Sequence, residues 1–220
     1  MKLSHESFKD SENYWHQKAG IFAGLYKTKN IMQVPNRIFL KHRMKIVSRF
    51  MEPDPVGVAL DVGCGSGEMA IELSKIYKEV IAFDYSEIML DIAKERATSP
   101  NIAFFKADSA SLPIPDQSAD GLFALGLLDY VRDVNSTLTE FSRVLKPGAK
   151  CVVTAPKSPS LFAPLRWSSS VRARLFGIPP IVHAFTREEI ERVFTESGFS
   201  SLEIIPLWTT MWICHVKKKE

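Results

Sequence analysis

From residue 58 onward the chain alternates short apolar runs with stretches whose apolar residues recur at helical spacing. No other feature of its 220 residues restricts the fold as strongly. Residues 58–62 are an apolar run ended by Gly63 and predict a buried strand. Residues 68–78 place Met69, Ile71, Leu73, Ile76 and Tyr77 at helical spacing. A second strand is predicted over 80–83, stopped by Asp84, and a helix over 86–97, with Ser86 as its cap and Ile88, Met89, Ile92 and Ala93 as its apolar face. Residues 102–105, 121–125 and 150–155 read as three further strands. A helix over 133–145 ends at Lys146-Pro147-Gly148, and another, capped by Thr186, runs to Ser197 with Gly198 just beyond it. Such alternation implies an α/β fold with a mostly parallel sheet. Two last strands, over 201–206 and 208–216, are separated by about one residue; parallel strands need a long crossover, so this pair must be antiparallel.

Two parts fall outside the rhythm, and they divide the chain into an arm over 1–52 and a main domain over 53–220 with an insertion at 157–182. The arm reads as helical, with Ile38, Phe39, Leu40, Ile46, Val47 and Phe50 on an apolar face. The insertion mixes Leu161, Phe162, Leu165, Trp167, Val171, Leu175 and Phe176 with Arg166, Arg172 and Arg174. A break that long in an α/β domain suits a lid. Charge follows the same division. Residues 1–52 carry ten Lys and Arg against four Asp and Glu, 53–156 carry nine against fifteen, and 157–183 carry four against none. The basic segments are either solvated surface or the faces turned toward an anionic substrate or membrane surface.

Composition excludes several classes. With 45% hydrophobic and 24% charged residues the chain is neither disordered nor low in complexity. Its longest apolar run, near 121–128, falls far short of the roughly 20 residues that cross a bilayer. The first residues lack the apolar stretch of a secretory leader. Cys64, Cys151 and Cys214 are an odd count without metal-ligand spacing, so a reducing cytoplasm and no disulfide framework are expected, and no metal.

In an open parallel sheet, ligands bind beyond the carboxyl ends of the strands. After the first strand stands Asp61-Val62-Gly63-Cys64-Gly65-Ser66-Gly67. Glycines at alternate positions let the backbone turn sharply and approach a ligand, and the helix that follows offers N–H groups to a carboxylate or phosphate. A purely structural turn is the competing reading. After the second strand comes Asp84, about twenty residues past Gly63, where an acidic residue accepts both hydroxyls of a ribose or, alternatively, caps a helix. After the third come Asp108 and Ser109, where a carboxylate suits an exocyclic amine such as adenine N6 or simply forms a turn. The three sites compose one ligand: a ribose, an adenine and an acidic or zwitterionic tail. Dinucleotide loops place the third glycine three positions past the second, whereas Gly67 is two past Gly65; this disfavours a nicotinamide-dependent oxidoreductase.

The motifs LDVGCGSG at 60–67, FDYSEIMLDIAKER at 83–96, ADSASLP at 107–113 and LKPG at 145–148 together resemble class I S-adenosylmethionine-dependent methyltransferases, in the small-molecule branch that includes ubiquinone and menaquinone biosynthesis enzymes. The resemblance implies a Rossmann-like seven-stranded sheet ordered 3-2-1-4-5-7-6, with the seventh strand antiparallel and helices on both faces. It implies S-adenosyl-L-methionine as cofactor and S-adenosyl-L-homocysteine as product. By position, Gly63, Cys64 and Gly65 would pass beside the methionyl portion, with Asp61 supporting the loop and the amino group. Asp84 would bind the ribose, with Tyr85 and Met89 near the adenine. Asp108 would bind adenine N6, with Ser109 beside it, and Leu125 would approach the methionyl end. Ala149 stands where many relatives carry a second glycine.

Methyl transfer from a sulfonium asks the protein mainly to align a nucleophile and exclude water, with a general base where oxygen or nitrogen is methylated. Asp129 and Tyr130, in the loop after the fourth strand, can orient an acceptor; a helix-start Asp and a packed Tyr are the plainer readings. His16 and His183 are the candidate bases, each otherwise a surface or packed histidine, and one of them is expected over the methyl-donor pocket. The expected substrate is a small molecule, apolar or anionic. Nucleic acid is disfavoured, because the chain is nearly neutral and the N-P-P-Y-type tetrad of amino-methylating enzymes is absent at the fourth strand. The alternatives are a cofactor- or partner-binding domain without catalysis, and methylation of protein or RNA. Oligomeric state is not legible.

Overall fold

In a computed structural model of the chain, which describes residues 34–158 and 183–220, seven strands form one sheet ordered β3-β2-β1-β4-β5-β7-β6. In chain order the elements are α1 (Val34–Val47), a 3-10 turn (Ser48–Phe50), β1 (Asp54–Val62), α2 (Glu68–Leu73), β2 (Tyr77–Asp84), α3 (Glu87–Arg96), β3 (Ile102–Lys106), β4 (Ala119–Ala124), α4 (Val134–Val144), β5 (Leu145–Pro156), α5 (Arg187–Glu196), β6 (Phe199–Leu207) and β7 (Met211–Lys218). Strands β3, β2, β1, β4 and β5 run parallel, and β7 is antiparallel to both β5 and β6. This is the order and the strand direction that the resemblance implied. His16, the rest of 1–33, and 159–182 of the insertion lie outside the described residues.

Both faces of the sheet are covered, so its central strands are apolar throughout rather than alternating. Leu60 and Val62 of β1, Leu122 and Ala124 of β4, and Cys151 and Val153 of β5 pack with Leu138 and Phe141 of α4 and Ile190 and Phe194 of α5. The intervening residues Ala59, Phe123 and Val152 face the other way, against Met69 and Leu73 of α2, Leu90 of α3 and Val47 of α1. The helix starts follow the expected chemistry. Ser86 accepts a hydrogen bond from the Met89 N–H at 3.4 Å, Asp133 accepts from Asn135 and Ser136, and Thr186 and Glu189 form a reciprocal capping box.

Four sequence expectations are corrected. The helix expected over 68–78 ends at Leu73, and Tyr77 opens β2. Ile76 and Tyr77 fit helical spacing, but Tyr77 pairs with Asp54 and buries its ring edge-on to Phe123, at 6.4 Å between centroids. A place in a buried sheet outweighs local periodicity. Strand β5 begins at Leu145 rather than residue 150, because Leu145 pairs with Ala119 before the ladder shifts register. The link between the last two strands is residues 208–210, not a single residue. Finally, Ile38 is 53% exposed and stands off the buried face of α1.

One feature of the fold has no sequence signal. The Arg143 guanidinium of α4 donates to Glu140, Asp116 and the carbonyls of Leu112 and Ile114. It straps the long β3–β4 connection to α4, and that connection carries Asp108 and Ser109.

Candidate functional site

The loop after β1 turns over the end of β2: the N–H groups of Gly63 and Cys64 both donate to the Phe83 carbonyl, at 2.8 and 2.9 Å. Gly63 has a φ of +73°, and a Cβ there would stand 3.0 Å from Cδ1 of Leu127, so it is a glycine for conformation and for close approach. Gly65 has a φ of +52°, and among the described residues nothing lies within 4 Å of where its Cβ would be. Among the described residues the outer edge of the loop at Gly65 is therefore open. Cys64 is buried, and burial pushes its thiol well above the ordinary range, so the side chain is unreactive as a nucleophile. Helix α2 has only six residues, and the carboxylate of Glu68 already sits in its first turn. Glu68 accepts from the Ser66 hydroxyl at 2.7 Å and pairs with Arg96. The helix start expected to await an anion thus carries one of its own.

Asp84 closes the end of β2. One carboxylate oxygen accepts from the Gly65 N–H and the other from the Ser86 N–H, each at 2.8 Å. Burial raises its pKa, while the N–H groups of Ser86, Gly65 and Tyr85 act against that rise. Ser86, not Asp84, caps α3, which removes the capping reading of Asp84. The carboxylate locks the glycine loop onto β2 and keeps lone pairs for a further donor. Beside it Tyr85 is 50% exposed, whereas Met89 is buried in α3. Asp108 is exposed and accepts from the Ala110 N–H at 2.9 Å, which shapes the turn that also carries Ser109.

Between the β1 and β4 loops lies a cavity of about 30 Å3, lined by Arg43, Met44, Asp61, Gly63, Cys64, Glu68, Met69 and Leu125. That is the scale of a bound water or a small ionic group. Asp61, at 1% exposure, has one carboxylate oxygen with no hydrogen-bond partner among the described residues. Burial pushes its carboxyl up to about 8; Asp84 and Glu68 push the same way, and the Ala70 N–H and Arg43 push back. An orphaned, buried carboxylate oxygen is costly, so a donor is called for at this point.

The loop after β4 is fixed from two sides. The Gly126 N–H donates to the hydroxyl of the buried Thr154 on β5 at 2.7 Å, and the Tyr130 N–H donates to the Leu127 carbonyl at 2.9 Å. Asp129 is buried in this turn and Tyr130 half-buried. His183 reaches the same loop: its Nε2 lies 2.8 Å from the Val131 carbonyl and must carry the proton of that bond. Only Nδ1 is then left to accept a proton. The structure thus brings together Asp61, Gly63, Cys64, Gly65, Asp84 and Leu125 around the glycine loop, with Asp129, Tyr130 and His183 grouped at the β4 loop.

Comparison with known proteins decides the family. A curated relative, the demethylmenaquinone methyltransferase of Staphylococcus aureus, is 30% identical over 182 residues, with 74% of this chain and 76% of the relative covered. The chain belongs to the class I S-adenosylmethionine-dependent methyltransferases. A family model described as a methyltransferase domain matches residues 60–153. Among solved structures, an Aquifex aeolicus S-adenosylmethionine-dependent methyltransferase superposes with a TM-score of 0.66 at 22% identity, covering 84% of this chain and 93% of that one. A chain of the Haloferax volcanii complex between the Trm112 methyltransferase activator and a methyltransferase gives 0.70 at 17% identity, covering 97% and 98%.

The cofactor of this methyltransferase is S-adenosyl-L-methionine, and the residues present fit it. The orphaned oxygen of Asp61 suits an ammonium, the open edge at Gly65 admits a ligand against the backbone, and the Asp84 carboxylate suits a diol. Among the described residues no cluster of His, Cys, Asp and Glu could hold a metal. Sequence reasoning missed Arg43, Glu68 and Thr154, which border or support the site. Thr154 and Arg43 lie far along the chain from the glycine loop and carry no motif; Glu68 directly follows it, and its place at the start of α2 was the available signal.

Proposed function

We propose that this methyltransferase acts on a small, apolar acceptor of the quinone type. What supports this is the demethylmenaquinone substrate named for the Staphylococcus aureus relative, together with the apolar and arginine-rich make-up of 157–182. In this reading Asp84 holds the ribose hydroxyls, Asp61 the amino group, Asp108 and Ser109 the adenine edge with Tyr85 and Met89 near its ring, and Gly63, Cys64, Gly65 and Leu125 flank the methionyl portion. The cofactor supplies an activated methyl group, so the protein's work is alignment and exclusion of water. Asp129 and Tyr130 orient the acceptor at the β4 loop. His183 takes a proton through Nδ1 where the acceptor must lose one, or His16 does so from the arm.

The test uses methyl-labelled S-adenosylmethionine with a methyl-depleted cell extract, separated into lipid-soluble, aqueous and macromolecular fractions. Label in the lipid-soluble fraction is expected. Label in the aqueous fraction would keep a small molecule but not an apolar one, and macromolecular label would overturn the proposal. Parallel turnover assays of Asp129→Asn, Tyr130→Phe, His16→Ala and His183→Ala assign the base; unchanged turnover in both histidine variants would remove them from the reaction.

A further inference from the structure

Helix α1 has two unlike faces. Phe39, Arg43 and Val47, spaced by four, share the inner one. Val47 is fully buried, and Phe39, Met44 and Ile46 pack against the same core cluster. The outer face holds Ile38, Lys41, His42 and Lys45, all exposed, and the 3-10 turn continues it with exposed Arg49. Positions 38, 41 and 45, and again 42, 45 and 49, are three and then four residues apart, so they lie along one side. Lys41, Lys45 and Arg49 are thereby spread over about 12 Å of that side.

Neither α1 nor the turn contains an acidic residue. Among the described residues Lys41, Lys45 and Arg49 make no ion pair. Elsewhere the exposed cations Lys75, Lys94, Lys106, Lys146 and Arg187 each stand against a carboxylate. The outer face of α1 is therefore a positive strip without internal compensation, complementary to an anionic surface.

Apolar groups stand with these cations. Ile38 is 53% exposed on the same face. Trp208, in the β6–β7 link, is half exposed, and its ring lies 5.3 Å from that of Phe39 and 5.9 Å from that of His42, between centroids. Its φ is +53°, a left-handed conformation that bulky side chains rarely adopt, so the link holds an indole out beside the strip at a conformational cost. Cations alone would suit any polyanion. Cations with an exposed aliphatic side chain and an indole suit the boundary between lipid headgroups and acyl chains. The position fits too. Strand β7 is antiparallel to both β5 and β6, so β6 runs with β5 and its final link stands at the edge of the sheet where the β1 and β4 loops lie.

We propose that the outer face of α1, bordered by Trp208, docks the protein on an anionic lipid bilayer. Lys41, Lys45 and Arg49 meet the headgroup phosphates, and Trp208 and Ile38 enter the interface. Docking in this way sets the ligand edge of the sheet beside the bilayer. It carries the reading of an apolar acceptor further, and rests on that reading only for this consequence.

The test reads vesicle binding by the full chain without acceptor, so an incorrect acceptor does not alter it. The probes are vesicles of phosphatidylcholine alone and of phosphatidylcholine mixed with phosphatidylglycerol. The wild type is expected to pellet with the mixed vesicles and not with phosphatidylcholine. Each cation held near an anionic leaflet strengthens binding about fivefold. The triple variant Lys41→Gln, Lys45→Gln, Arg49→Gln should therefore partition about 100-fold more weakly, with its affinity for S-adenosylhomocysteine unchanged. The triple replacement Lys41→Arg, Lys45→Arg, Arg49→Lys keeps the charge and should retain pelleting. Mixed vesicles should shift tryptophan emission of the wild type to the blue, and Trp208→Phe should lose most of that shift. Undiminished pelleting of the glutamine variant would overturn the proposal by placing the contact elsewhere on the chain. So would an undiminished emission shift in Trp208→Phe. Binding to polyuridylate that is lost in the glutamine variant, with no pelleting on mixed vesicles, would assign the strip to a nucleic acid and overturn the bilayer.

Discussion

Asp61 shows how one buried side chain couples folding, proton binding and ligand binding. Its folded-state pKa of about 8 lies above the ordinary 3.8, so between those values the folded chain holds a proton that the unfolded chain releases. Its contribution to stability is fully present below 3.8 and declines as pH rises from there to about 8, above which the buried carboxylate is a net cost. An ammonium brought to Asp61 favours the carboxylate instead. Binding of S-adenosylhomocysteine at pH 7 should therefore release about one proton. Calorimetry in buffers of different ionisation enthalpy measures this release, and Asp61→Asn should abolish it. Asp84 makes a different prediction, because it serves both loop and ligand. Asp84→Ala removes the acceptor for the Gly65 and Ser86 N–H groups as well as for a ribose. Cofactor affinity should fall by about 1.5–3 kcal/mol, seen as a raised dissociation constant in direct titration.

At the scale of elements, the glycine loop and helix α5 make separate predictions. The glycine loop and the β4 loop touch at Gly63 and Leu127, so Gly63→Ala strains a left-handed residue and pushes on the neighbouring loop together. A loss of about 1–3 kcal/mol in stability is expected with weaker cofactor binding, by urea unfolding and titration on the same variant. Helix α5 takes no part in that contact. Thr186→Ala removes half of its capping box and should lower stability by about 1 kcal/mol, with the cofactor dissociation constant unchanged. A shift in that constant would mean that α5 reports to the site through the insertion it follows.

On the scale of the whole molecule, charge is divided along the chain, with basic segments at 1–52 and 157–183 around an acidic middle. Among the described residues no helix is long and apolar enough to cross a membrane. The basic segments are the candidates for contact with an anionic membrane surface. If the basic segments face that surface, the protein should pellet with anionic vesicles at low salt and be released near 0.5 M salt, where the Debye length falls to about 4 Å. Absence from the pellet at low salt would leave these charges as solvated surface.

The strand–helix alternation and the glycine, Asp84 and Asp108 motifs belong to continuous segments, and periodicity and turn chemistry are local properties. That is why the α/β class and the loops after the strands are legible in the residues alone; the strand order comes with the motif resemblance. The switch of Tyr77 from helix to strand is not legible there, because Ile76 and Tyr77 satisfy both periods and only burial against Phe123 chooses between them. Nor is the second role of Asp84, whose Gly65 donor is set by how the loop folds back over β2. Arg43 is the clearest case. In the sequence it is one of ten basic residues in an arm, and only the docking of α1 between Trp208 and the sheet turns it inward, beside an aspartate 18 positions away. Fold class and the loops after the strands can be read from the residues alone, because local pattern suffices for both. The tertiary structure decided which charges meet in the cavity, because that depends on packing between segments that share no local signal.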